Sequence, residues 1–191
     1  MRKCAVSGVT LLAILSLTLP SQASAQGVFL GAGATIPMGD YGDYAKTGWA
    51  VDAGVTFPVG ENGIYLFADG LYGSNSHSDH DGDKTNLLGG FGGVQYVFAE
   101  PGEAGLFVFG QVGFLRHGFK SDEFPDDDES DMGIAFGGGA GYSIPIGGMN
   151  GFVLGRFVQG RYGETDDYEA WTTTFVGVSA GVSIPIGGDA G

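Results

Sequence analysis

Cysteine, basic residues and long apolar runs are what this sequence has least of. Its one cysteine, Cys4, stands ahead of an apolar run near the start, within a segment that reads as removable. The chain beyond it then has no thiol, no disulfide and no cysteine metal site. Lys and Arg number 8 against 22 Asp and Glu, a formal charge of −14. That balance excludes nucleic-acid binding through a basic surface. It also excludes the basic contacts that cytoplasmic proteins make with anionic lipid headgroups. After residue 25 no 18 consecutive residues are apolar, and no helical period appears. A spanning helix is therefore excluded in that part.

The first 25 residues read as a cleaved signal peptide. Arg2 and Lys3 give a positive start, residues 5–19 are apolar but diluted by Ser and Thr, and Ala23-Ser24-Ala25 has the small-residue cleavage pattern. The apolar stretch is too short and interrupted for a membrane anchor. The expected organisation is a signal peptide over 1–25 and one domain over 26–191. Six basic residues then face 22 acidic ones, a formal −16.

Glycine is abundant, at 38 residues, without a collagen period. With 43% hydrophobic and 13% aromatic residues, the chain is too apolar for disorder. The recurring pattern is alternation, which predicts strands over 27–37, 47–58, 63–72, 87–98, 105–119, 132–146, 151–162 and 172–186. Their connections alternate long (38–46, 73–86, 120–131, 163–171) and short (59–62, 99–104, 147–150). Four long and three short are what an eight-stranded antiparallel up-and-down barrel requires. In outer-membrane barrels the short turns are periplasmic and the long loops external.

One strand face is apolar: Trp49, Val51, Ala53, Val55 and Phe57 in the second strand, and Val176, Val178, Ala180, Val182, Ile184 and Ile186 in the eighth. The other is mainly Gly, Ser, Thr and Gln, with a few aromatics, which suits an enclosed lumen better than a solvated surface. The apolar face then meets lipid, and the fold class is all-β, an eight-stranded transmembrane barrel. Trp49, Tyr72, Phe114, Tyr162 and Trp171 fall toward the long-loop end, and Phe57, Tyr96, Phe98, Tyr142 and Phe152 toward the short-turn end. Both groups are expected to form aromatic girdles. A pattern Ala-Gly-x-Thr/Ser-apolar-Pro-apolar-Gly, with Val for Met or Ile in one copy, recurs at 32–39, 53–60, 140–147 and 180–187. Proline lacks a ladder donor and belongs at strand ends.

With this rhythm in place, the chain resembles the small outer-membrane β-barrel family, of the OmpX-like and OmpA-transmembrane-domain type. Residues 36–44 (Ile-Pro-Met-Gly-Asp-Tyr-Gly-Asp-Tyr) before Gly48-Trp49, and the last strand, carry the resemblance. Ser179, Gly181, Ile184 and Ile186 are similar to the family's terminal assembly signal, which implies insertion by the barrel assembly machinery. The chain departs from the family pattern in having isoleucines in place of aromatics there, and five residues after Ile186.

The expected location is the bacterial outer membrane, with lipid and lipopolysaccharide as partners. The expected role is structural or surface-interacting, through acidic external loops that hold 16 of the 22 acids. Other surface partners are left unnamed by the sequence. The second reading is a narrow channel or small-ligand carrier. A lipid A-modifying enzyme ranks third. His117, Ser121 and Asp122 match no nucleophile motif, so no catalytic residue is expected.

Two constellations could carry chemistry. His77, Asp79, His80, Asp81 and Asp83 bring carboxylates and imidazoles together in one loop, a donor set for a divalent cation. The Asp-x-Asp-x-Asp spacing is not an EF-hand, because Lys84 and Gly90 stand where Gly and Glu are needed. No other cofactor is expected. Asp52, Asp69, Gln95, Gln111 and Arg156 are expected inside the lumen as a polar network, since charges at membrane depth must face inward and pair. Inward Phe91 and Phe109 would help fill it, and inward glycines would leave room for large neighbours.

Overall fold

The computed structural model describes residues 26–60, 62–78, 82–100, 102–121, 129–163 and 170–186. Eight strands close into one barrel: β1 (Gln26–Met38), β2 (Gly48–Pro58), β3 (Ile64–Ser76), β4 (Lys84–Val97), β5 (Gly105–Lys120), β6 (Glu129–Ile146), β7 (Met149–Tyr162) and β8 (Trp171–Ile186). Every strand pairs antiparallel with its neighbours in sequence, and β1 pairs with β8 from Gln26↔Ile186 to Met38↔Thr174. Closure leaves no exposed sheet edge.

The outward wall is apolar below its long-loop rim. Leu30 is 59% exposed, Val112 60%, Ile134 62% and Met132 70%. Water-soluble monomers rarely expose a contiguous apolar patch beyond a few hundred Å². A continuous wall of this kind is stable only against lipid, where closed strands satisfy every backbone group. Among the described residues no helix is long and apolar enough to cross a membrane; here the strands cross.

Two expectations about boundaries change. β3 and β4 run on as a tall hairpin through Ser74, Asn75, Ser76, Thr85 and Asn86, all expected in a loop. Asn75 and Thr85 are fully buried at the rim. Asn75 Nδ2 donates to the Lys46 carbonyl at 2.8 Å, and Thr35 Oγ1 donates to Asn75 Oδ1 at 3.1 Å. These polar side chains extend the ladder because the rim satisfies them. The 38–46 connection, expected as a long loop, contains a one-turn helix α1 (Asp40–Tyr44). Gly39, at φ 60°, turns the chain from β1 into it.

Candidate functional site

α1 folds inward over the long-loop end of the lumen. Tyr41 is 1% exposed and lies in one apolar cluster with Leu71, Leu87, Leu115, Val158 and Phe175. The last four of these, Leu87, Leu115, Val158 and Phe175, have no exposed surface. Each such side chain is worth roughly 1.5–3 kcal/mol of burial. The helix is tied to the rim by Lys46 N–H donating to the Ser76 carbonyl at 2.7 Å and Ser78 N–H donating to the Tyr44 carbonyl at 2.8 Å. Burial pushes the Tyr41 hydroxyl above the ordinary tyrosine value. Burial, helped by Asp40, does the same to Tyr44.

The lumen is thus less polar than the sequence reading has it. Small residues alternate with large ones on the inward face, and the large ones meet at the centre of the upper half. Three aromatics expected in the girdles also face elsewhere. Tyr162 is buried inside the mouth and stacks on Trp171, with ring centroids 3.9 Å apart. Phe152 points into the lower lumen, against Phe29 at 6.2 Å. Trp49 and Tyr72 do stand outside, 5.6 Å apart, and Phe114 is 60% exposed. The parity of Tyr162 with Val158 along β7 was the available signal.

The inward charges lie below the apolar layer. Arg156 Nη1 donates to Asp69 Oδ2 at 2.9 Å, and Arg156 Nη2 lies 3.9 Å from Asp52 Oδ2. All three are buried. Gln111 is buried as well, and neither of its side-chain polar atoms has a partner among the described residues. Gln95 stands apart, on the wall of the cavity beneath.

That cavity opens at the short-turn end and holds about 210 Å³. Phe29, Phe67, Phe107, Phe109 and Phe152 wall it. Each of these rings stands opposite a glycine on the next strand: Phe29↔Gly54, Phe67↔Gly93, Phe107↔Gly141, Phe109↔Gly139 and Phe152↔Gly181. The ring tip takes the place a Cβ would fill at every one of those glycines. Glycine here seats an aromatic ring against the wall.

Of the loop constellation, Asp79, His80 and Asp81 lie outside the described residues. His77 Nε2 is 2.8 Å from Thr85 Oγ1, and the His77 backbone N–H donates to the Asp83 carbonyl at 2.9 Å. The His77 ring packs against Tyr44 and Phe119, at 5.2 and 5.3 Å. Among the described residues no three His, Cys, Asp or Glu side chains group as a metal-binding set. His117 is held in an aromatic cage, 4.8 Å from Trp171 and 5.7 Å from Tyr41. Ser121 is buried, and Asp122 lies outside the described residues.

The outer wall carries its charge in one place. Among the described strand residues, the charged side chains on the outward face are Lys84, Arg116, Lys120 and Arg161, all toward the long-loop end. Lys84 stands opposite Lys120, and Arg116 donates to Ser130 Oγ at 2.9 Å. The Arg161 guanidinium lies 5.0 Å over the Phe136 ring. A depression of about 210 Å³ at this level is lined by Tyr72, Asn86, Leu88, Arg116, Lys120 and Ser130, among others. Single-residue motif reading missed this band because its members are far apart in sequence.

No protein-family model and no curated protein matches the chain. Solved structures do. Neisserial surface protein A (NspA) matches with a TM-score of 0.64 at 13% identity, over 84% of this chain and 97% of that one. Ail, the attachment invasion locus protein of Yersinia pestis, matches with a TM-score of 0.50 at 10% identity, over 85% and 100%. Both are small outer-membrane barrels of eight strands, and this chain has their fold.

Proposed function

We propose that the chain is exported to the bacterial outer membrane and acts there as a structural, surface-interacting barrel whose outer rim holds lipopolysaccharide. The outward band of Lys84, Arg116, Lys120 and Arg161 carries this reading. It sets positive charge above an apolar wall in a chain with a strong acidic excess. Anionic phosphates over acyl chains are the chemistry that such a band complements. The acidic loops above it fit divalent cations bridging to the same phosphates, and the apolar end of β8 fits recognition by the barrel assembly machinery. No catalytic role is proposed.

A channel is the poorer reading. Tyr41 and the layer beneath it fill the upper lumen, and eight strands leave an interior that side chains just fill. The test is the phosphate that co-purifies with the barrel from outer membranes. Arg116→Ala/Arg161→Ala is expected to lower it several-fold while heat-modifiable migration on a gel is kept. Equal phosphate in the variant would remove the reading. Steady single-channel conductance would restore the channel.

A further inference from the structure

The cavity at the short-turn end is absorbed neither by the rim nor by the sealed upper lumen, and it is built rather than left over. Each of the four hairpins β1–β2, β3–β4, β5–β6 and β7–β8 supplies a phenylalanine seated on a glycine of its partner strand. Seated as they are, they line a space of about 210 Å³. A dry engineered cavity of roughly 150 Å³ accepts benzene, so one ring bearing a small substituent fits.

The charges around this space are mostly negative. At its inner end the lining charge is Arg156, held by Asp69 at 2.9 Å and approached by Asp52 at 3.9 Å, so two carboxylates behind it oppose its charge. At its mouth stand Glu100 and Glu103. Arg156 is the one basic residue among the lining residues. Aromatic walls with a carboxylate excess are what recognises an organic ammonium, whose charge is attracted by ring quadrupoles and whose body is apolar. An organic anion would meet Glu100 and Glu103 on entry and find the charge of Arg156 already opposed by Asp69 and Asp52.

We propose that this aromatic cup is a binding site for a small organic cation of the aryl- or alkyl-ammonium class. The site stands independently of the lipopolysaccharide reading, because it lies at the opposite end of the barrel and inside it.

The probe is phenyltrimethylammonium, titrated by calorimetry into the refolded full chain in a maltoside detergent, which carries no ammonium group. Two comparison ligands share its size: neutral tert-butylbenzene and anionic benzoate. Saturable binding of the cation is expected, roughly tenfold tighter than the neutral isostere, with no binding of benzoate. Ser183→Phe, which places a ring into the cup from β8, is expected to abolish it. Glu100→Gln/Glu103→Gln changes only exposed positions; it is expected to weaken the cation several-fold and leave the neutral isostere unchanged. If Ser183→Phe fails to show heat-modifiable migration, the glutamine pair decides. Absence of saturable cation binding would overturn the proposal. So would equal binding of the neutral isostere, tighter binding of benzoate, or cation affinity that the folded variants leave unaltered.

Discussion

Above Arg156 the lumen is packed with Leu87, Leu115, Val158 and Phe175 under Tyr41; below it the same eight strands hold an open cup. Both halves use large apolar side chains, so hydrophobicity does not separate them. What closes over the centre does. In the lower half each lining phenylalanine faces a glycine and lies back over it. In the upper half Leu115 also stands opposite glycines, Gly89 and Gly133, yet Tyr41 and Phe175 reach the same cluster from α1 and β8 and complete the layer. Between the halves sits Arg156, the one buried Lys or Arg among the described residues, with its two carboxylates. A barrel of this size can thus be plug and vessel at once, with an ion pair as the partition.

The partition gives the largest expected effect. Arg156→Ala leaves Asp52 and Asp69 buried without their cation, at a cost of about 3–5 kcal/mol. The urea midpoint of the refolded barrel should fall accordingly. Arg156→Met combined with Asp52→Asn and Asp69→Asn should recover most of the loss. No shift for the single change would mean that the two halves need no divider.

Packing comes next. Leu115→Ala opens a void in a closed layer and should cost about 2–5 kcal/mol. Phe29→Ala, in the wall of a space already open, should cost less than half as much by the same urea titration. Equal losses would erase the distinction between packed and open halves.

The smallest effect is a pH dependence. Burial raises the folded-state pKa of Tyr41 above its ordinary value of 10.0. The stability tied to its neutral form is therefore complete below pH 10 and is lost as pH rises beyond it. Urea resistance should decline in that alkaline range, and Tyr41→Phe should make the decline shallower. An identical decline in the variant would show that the helix does not bury its tyrosine in the sealed half.

The barrel itself was legible because alternation is a local signal that each strand repeats, and because every second side chain, the outward one, is mostly apolar. Asp52 and Asp69 could be placed inward by parity alone. The content of the lumen was harder to read. Phe29 and Gly54 become neighbours only once the register of β1 on β2 is known, so along a single strand the inward face looks merely small and polar. The tall β3–β4 hairpin was hidden because Ser, Asn and Thr favour turns until a rim satisfies them. α1 spans five residues, too few to show a helical period.

The pairing of β1 with β8 has a consequence in time. The other seven strand contacts join hairpin neighbours and can form as soon as each turn is made. The seam from Gln26↔Ile186 to Met38↔Thr174 joins the two ends of the described chain and must wait for all of them. Contacts so distant in sequence are slow to form, and until this one forms, two edges stand open to pairing with other chains. Substitutions along the seam should therefore govern how fast the barrel closes, and how much is lost to aggregation before it does.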